Sequence, residues 1–445
     1  MDYEKRFREF REICRKFDNP FLNAKCFHVA GSKGKGSTTA IIAGILEEAG
    51  YNVGRLSSPH VVDERERFMR AHEFFDDEIY RAAKTELAKA ELFRTLSYPE
   101  EKTLTGMLCF REAKCDYTVY EVGLGGEFDP TNVISPLATG ITPIELEHTK
   151  ILGKTLSEIA KAKAGVIKEG APVVVTKQKP EVLRVIRGRA EKVGAELFYI
   201  PDVVKISDVR YFLDDSYDEF SGDFMMGFQL ESKLFNRPLD IKSKLVGDFQ
   251  TENIAMAVIM VKIVMPEISE DIIEKGISKV RLPGRFEMLR NIFGYDRIPY
   301  IVLDGAHTIS SISGSLQTLD ELIRVNGVAN AQDSCLTDFA EGVKPQLLFG
   351  CGKDKPVEDF AKMIDGKFSG ITLTKPGDKE ADFPRMQAAF SDMEVVEDTR
   401  AGILHALEKA SEARAPLVVL GSLYLAGEVK KILVGKYEEI MRNFS

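Results

Sequence analysis

Residues 31–38 read Gly-Ser-Lys-Gly-Lys-Gly-Ser-Thr, and no other segment restricts the fold as much. Glycines at 31, 34 and 36 make the segment a poor helix interior and a poor strand. The flanks ask for both. Residues 25–30 (KCFHVA) read as a buried strand, and Ile41, Ile42, Ile45 and Leu46 recur at helical spacing until Gly50. In a strand–glycine loop–helix unit, backbone N–H groups and the positive helix end turn toward a phosphate. Gly31, Gly34 and Gly36 would let the backbone approach it. Lys35 would neutralise terminal phosphate charge, and Ser37 and Thr38 offer hydroxyls to phosphate or metal. The spacing departs from G-x-x-x-x-G-K-[ST], because only two residues separate Gly31 from Gly34-Lys35. A ligand-free glycine turn is the plainer alternative, and the strand and helix around the loop argue against it.

Further strand-then-helix units predict an α/β protein with a largely parallel sheet. Residues 117–122 (YTVYEV) and 172–176 (PVVVT) read as strands, with a helix over 156–167. Residues 203–245 read as inserted β-hairpins, and helical spacing returns over 251–264. Leu282-Pro283-Gly284 punctuates the chain, so two units are expected, 1–288 and 289–445. Strands at 300–303, 346–349, 371–374 and 417–420 make the second a smaller Rossmann-like unit. Residues 326–345 lack periodicity and are expected as a mobile surface loop. A chain of 445 residues suits two cores.

The formal charge of −9 argues against a general nucleic-acid binder, although a cleft can still attract an anion. Residues 1–16 look like an amphipathic helix without a signal-peptide core. No apolar run approaches the ~18 residues that span a bilayer. The expectation is a cytoplasmic protein without membrane contact. The cysteines at 14, 26, 109, 115, 335 and 351 lack C-x-x-C spacing and read as reduced thiols.

A set of motifs then occurs in one order between residues 28 and 428. HVAGSKGKGST resembles the phosphate loop of folylpolyglutamate and dihydrofolate synthases, a branch of the Mur ligases. Ser57-Ser58-Pro59-His60-Val61 and Glu66-Arg67-Phe68 resemble that family's T-S-P-H-L and E-R-I. Glu121-Val122-Gly123-Leu124-Gly125-Gly126, with Asp129-Pro130-Thr131-Asn132, resembles E-V-G-L-G-G-R-L-D-A-T-N. Glu147-His148-Thr149 and Lys163-Ala164-Gly165-Val166-Ile167-Lys168 resemble L-D-H-T and K-A-G-I-I-K. Pro283-Gly284-Arg285-Phe286-Glu287, Asp304-Gly305-Ala306-His307 and Gly421-Ser422-Leu423-Tyr424 resemble P-G-R-F-E, D-G-A-H-N and G-S-L-Y.

The resemblance implies a P-loop ATPase domain of Mur-ligase type followed by a smaller Rossmann-like glutamate ligase domain. It implies ATP-dependent ligation of L-glutamate to a folate through an acyl phosphate, with dihydropteroate as a second acceptor in part of the family. Gly31, Gly34, Lys35, Gly36, Ser37, Thr38, Asn253, Arg285, Asp304 and His307 would hold the nucleotide. Ser58, Glu121, His148 and a carbamylated Lys163 would hold magnesium, with potassium as a further cation. Lys35, Glu121, His148 and Lys163 would carry the catalysis, and His60, Arg67, Asp129 and Ser422 would contact substrate. Lys161, two residues away on another helix face, is the alternative to Lys163. The family is typically monomeric.

Several residues depart from the common bacterial pattern: Ser32-Lys33 for Thr-Asn, Glu127 for arginine, Glu147 for aspartate, Phe249 for histidine and Thr308 for asparagine. Glu127 reverses charge near the presumed acceptor. A Mur-type ligase with a non-folate carboxylate is therefore one alternative. A nucleotide-binding protein without turnover is another, opposed by the joint presence of Lys35, Glu121, His148 and Lys163. The S-S-P-H and G-L-G-G segments favour the folate branch. So does the closeness of Gly31 to residue 1, which leads us to expect no separate UDP-sugar domain before it.

Overall fold

A computed structural model of the chain describes residues 2–89, 95–218, 221–290, 292, 294–332, 343–377 and 379–443. The first sheet contains β1 (Lys25–Ala30), β2 (Val53–Leu56), β3 (Phe68–Arg70), β4 (Tyr117–Glu121), β5 (Ala138–Ile141), β6 (Val173–Val175) and β7 (Leu197–Tyr199). Their order is β3-β2-β4-β1-β5-β6-β7, parallel except for the edge strand β3. Helices cover both faces, so the strands read as apolar runs rather than alternating ones. Phe27 and Val29 pack with Ile41 and Ile45 of helix Lys35–Glu48 and with Ile254 and Val258 of helix Asp248–Val264. Cys26 and Tyr120 join Phe10, Leu104 and Leu108 in a separate cluster. That division follows from side chains alternating across a strand.

The inserted strands form an antiparallel meander of β8 (Lys205–Asp218), β9 (Ser221–Glu231) and β10 (Leu239–Ser243). The second large sheet contains β11 (Glu287–Leu289), β12 (Ile301–Leu303), β13 (Gln346–Phe349), β14 (Gly370–Leu373), β15 (Met393–Val395) and β16 (Leu417–Leu420). Its order is β11-β12-β16-β13-β14-β15, with only β11 antiparallel. The expected junction between 288 and 289 falls within β11, which pairs with β12.

The expected loop over 326–345 is corrected in its first part. Helix Ile309–Gln332 runs through it, since extending a formed helix costs far less than starting one. Residues 333–342 lie outside the described residues. Gly165 ends the helix expected over 156–167 early, leaving Leu156–Ala164. No helix among the described residues is long and apolar enough to cross a membrane. Cys14, Cys26, Cys109, Cys115 and Cys351 are free and buried, and Cys335 lies outside the described residues.

A buried ion pair anchors the meander to the first unit. Glu270 accepts the Asn236 N–H at 3.0 Å and pairs with Lys262 Nζ at 3.3 Å. Burial alone would raise the Glu270 carboxyl, but the N–H donors and Lys262 bring it down to about 2. A carboxyl depressed in the folded state adds stability that is complete above its unfolded pKa and disappears as pH falls through the folded one. Glu270→Gln should therefore cost about 3 kcal/mol at pH 7. In urea titrations, the gap from wild type should close between about pH 4.5 and pH 2.

Candidate active site

Carboxyl ends of parallel strands bring most of the expected residues to one edge of the first sheet, where ligands of such sheets bind. β1 runs into the glycine loop, and β4 ends on Glu121. β2 ends shortly before Ser58, and β5 ends shortly before Glu147 and His148. Gly31 and Gly34 take φ of 142° and 83°, which favours glycine. Gly34 is the N-cap of helix Lys35–Glu48 and supplies no capping side chain, so the first helical N–H groups remain available. A Cβ at Gly34 would lie 2.1 Å from Asn253 Oδ1, and one at Gly36 would lie 3.4 Å from Glu121 Oε2. The loop therefore touches both residues. Lys35 Nζ donates to the carbonyls of Gly31 and Ser32 at 3.0 and 3.3 Å. Ser37 and Thr38 are buried, and among the described residues Thr38 Oγ1 has no partner.

Glu121 is 4% exposed, and its Oε2 accepts the Ser58 N–H at 3.0 Å. Burial pushes its carboxyl up, while Lys35, the Ser58 N–H, Arg285 and Arg55 oppose the rise. Lys163 is 2% exposed and donates to Gly31 O at 2.7 Å and to Glu147 Oε1 at 2.9 Å. Burial, and then Lys35, lowers its ammonium to about 8. Lys161 is exposed, so burial separates the two candidate lysines in favour of Lys163. His148 caps the short helix Thr149–Leu152 with a left-handed backbone beside Glu147.

The remaining residues gather at the second sheet. β12 ends just before Asp304 and β16 just before Ser422, and Gly421 N donates to Ala306 O at 2.9 Å. Asp304 is held internally by Ser315 Oγ at 2.5 Å and Ala306 N at 3.1 Å, and burial raises it to about 6. His307 Nδ1 donates to Gly305 O at 2.7 Å. Burial, then Lys33, lowers His307 to about 4, so its ring is neutral at pH 7. The Ser422 hydroxyl accepts the Tyr424 N–H at 3.2 Å. Arg285, at the junction, has no hydrogen bond or ion pair among the described residues, and its charge is felt by Glu121, Asp304 and His307. Glu145 joins the two groups by accepting Ser310 Oγ at 2.9 and 3.0 Å.

A cavity of about 840 Å³ opens beside Ser58 and Glu121. Phe7 meets Phe128 on its wall with ring centroids 6.3 Å apart, and Arg67 lies over the Tyr98 ring at 5.3 Å. Glu127 is on this wall and exposed. His60 stands behind Arg67, accepting from its Nε at 2.9 Å. Asp129 also lines the cavity, but its carboxylate organises the loop by accepting from Thr131 N, Thr131 Oγ1 and Leu124 N. Thr131 Oγ1 in turn meets the buried ring of His28 at 2.8 Å. Motif spacing assigns no role to His28, Lys33 or Lys355. Lys33 stood in the loop itself, and Lys355 follows a strand end.

The donor set fits magnesium. Among the described residues no three His, Cys, Asp or Glu side chains converge on one point. Magnesium needs no such cage, since it binds through one or two carboxylates plus substrate phosphates. A buried Glu121 beside Gly36, with an unpartnered Thr38 hydroxyl two residues along the chain, meets that requirement.

Residues 29–261 match the Mur ligase middle domain. The "Dihydrofolate synthase/folylpolyglutamate synthase" of Bacillus subtilis is 30% identical over 441 residues, covering 95% of this chain and 94% of that protein. The chain belongs to the folylpolyglutamate and dihydrofolate synthase family. Solved members of the family share its fold. Folylpolyglutamate synthase from Thermotoga maritima superposes with a TM-score of 0.76 at 27% identity, covering 96% and 93% of the two chains. A folylpolyglutamate synthase in complex with AMPPCP and folate gives 0.73 at 27% identity, covering 96% and 94%.

A side chain at Gly34 would meet the Asn253 amide in a backbone region costly for L residues. Gly34→Ala should lower Tm by about 2–4 °C. It should weaken ATP binding about tenfold or more in calorimetric titration.

Proposed function

We propose that the chain is an ATP-dependent ligase that joins the amine of L-glutamate to the carboxylate of a folate through an acyl phosphate. One observation carries this reading: Glu121 touches the phosphate loop and also lines the aromatic cavity, so a γ-phosphoryl group and an acceptor carboxylate can meet there. The loop N–H groups and Lys35 hold the β- and γ-phosphates. Asn253 lies against the loop where the nucleoside leaves it, and Asp304 supports the ribose side from the second unit. The acceptor carboxylate attacks the γ-phosphorus and ADP leaves. The glutamate amine then attacks the acyl carbon and phosphate departs. Positioning and charge neutralisation supply most of the rate in such phosphoryl transfers.

Glu121 and Ser58 would hold one magnesium ion, and His148 and Lys163 would hold a second, which would supply charge neutralisation at the phosphates. Lys163 takes part as a carbamate, which converts a cationic amine into an anionic ligand. Its lowered pKa keeps a neutral fraction available to react with CO2. Arg285 adds positive charge when the second unit closes. His307 donates through Nδ1, so its neutral ring presents Nε2 as an acceptor toward the incoming ammonium, near Ser422. Potassium as a further cation, units 1–288 and 289–445 as the two domains, a cytoplasmic location and a monomeric state complete the proposal.

The acceptor is tested by incubating the protein with ATP, magnesium and L-glutamate plus tetrahydrofolate, dihydropteroate or a UDP-muramoyl peptide, followed by mass spectrometry. Glutamyl mass gain on a folate is expected. Gain on the UDP-muramoyl peptide alone, or tightly bound ATP without any amide product, overturns the proposal. Lys163→Ala should cut turnover by roughly 100-fold or more with an unchanged circular dichroism spectrum. It should also abolish the carbamate resonance that isotope-labelled bicarbonate gives with wild type. Near-normal turnover in this variant would remove the carbamate assignment.

A further inference from the structure

The phosphate loop carries two lysines in different surroundings. Lys35 turns its ammonium onto the carbonyls of Gly31 and Ser32. Lys33 is half-buried, and its side chain makes no hydrogen bond or ion pair with any described residue. The anions nearest to it are already engaged. Both oxygens of Glu145 accept from Ser310 Oγ, and Glu147 pairs with Lys163 at 2.9 Å.

The same contacts fix what lies around Lys33. Ser32 Oγ accepts the Glu145 N–H at 3.0 Å, and the Glu145 side chain crosses to Ser310. Ser310 stands at the start of helix Ile309–Gln332, just after His307, whose N–H donates to Ser311 Oγ at 3.1 Å. These hydrogen bonds tie the loop with Lys33 to the loop with His307. The charge of Lys33 reaches the His307 ring, as do the charges of Lys355 and Arg285. The carboxylate contact of Lys355 is a loose 3.9 Å to Asp354, and Arg285 has no partner among the described residues. Three cations that act on a neutral imidazole, none of them held in a close ion pair among the described residues, favour an anionic occupant. The nucleotide's phosphates have Lys35 and the helix end. The amino-acid donor of the ligase reading brings two carboxylates.

We propose that Lys33 is a specificity-determining residue that binds a carboxylate of L-glutamate between the phosphate loop and the His307 loop. The inference rests on the ligase reading given under Proposed function. Lys33→Asn removes the charge at the position where the family's common pattern has asparagine, and Lys33→Arg keeps it.

The test measures KM for glutamate and for ATP, with a folate acceptor, in wild type and both variants. Lys33→Asn should raise KM for glutamate about 10- to 100-fold, the range expected for losing a charge-assisted hydrogen bond. KM for ATP should stay within about twofold, and Lys33→Arg should recover most of the glutamate affinity. A thermal shift on adding ATP confirms that each variant is folded. An unchanged glutamate KM in Lys33→Asn, or an ATP KM that rises as much as the glutamate KM, overturns the assignment. The wild-type control separates this from the parent reading. If wild type makes no glutamyl product from any folate, the ligase reading fails. If wild type turns over and Lys33→Asn binds glutamate as well as wild type does, only the role of Lys33 fails.

Discussion

The site depends on one buried carboxylate. Glu121 closes an apolar strand and receives one backbone N–H, far less than an ionised group needs away from water. Its charge is tolerable only because cations converge on it from separate parts of the chain. Lys35 comes from the loop, Arg55 from β2, and Arg285 from the junction with the second unit. At low effective dielectric these charges interact strongly even without direct contact. The arrangement makes the sheet edge electrostatically incomplete. Under the proposed function, a divalent cation with its phosphates would complete it on one side, and closure of the second unit would complete it on the other.

Lys163 binds the same edge together in a second way. Its amine reaches the Gly31 carbonyl, which begins the phosphate loop, and Glu147, which stands beside His148. A Cβ at Gly126 would lie 2.8 Å from Lys163 O, so the loop lining the cavity rests directly on the lysine's helix. The chemical state of this one amine is therefore linked to the phosphate loop, to His148 and to the acceptor wall. An ammonium there favours Glu147 and the carbonyl. The proposed anionic carbamate would favour metal instead.

The sequence disclosed much of this because strong local signals agreed. The loop, β1 and the helix after it are legible from glycine spacing and apolar periodicity alone, and the structure places them at 25–30 and 35–48. The strand ending at Glu121 and the inserted β-meander were equally clear. Long-range chemistry was less so. Asp129 and Asp304 read as ligand contacts in sequence, and in the fold their oxygens also hold neighbouring N–H and hydroxyl groups. His60 reads as a substrate contact and stands behind Arg67. Periodicity cannot show which side of a carboxylate is already occupied. Nor could it show that Glu145 and Glu147 are engaged elsewhere, which is what leaves Lys33 unpaired. Periodicity does not reveal the helix over 326–332, because Asn326, Gly327 and Asn330 weaken local propensity, whereas an established helix extends through such residues.

The departure at Glu127 takes on a definite meaning in the fold. A carboxylate where the common pattern has arginine would repel an anionic acceptor if it were buried beside the reacting group. It is exposed, at the wall of a wide cavity, where water and salt screen its field within about one Debye length. Arg67 occupies the same wall from the opposite loop, oriented by His60 and lying over Tyr98. A guanidinium held in this way loses little further freedom on meeting a carboxylate, so it attracts more effectively than a mobile surface charge repels. On the proposed ligase reading, Glu127 would therefore act on the part of the acceptor nearest solvent. Such a charge would bear on how an extended, multiply anionic acceptor lies along the wall more than on whether its reacting end reaches Glu121.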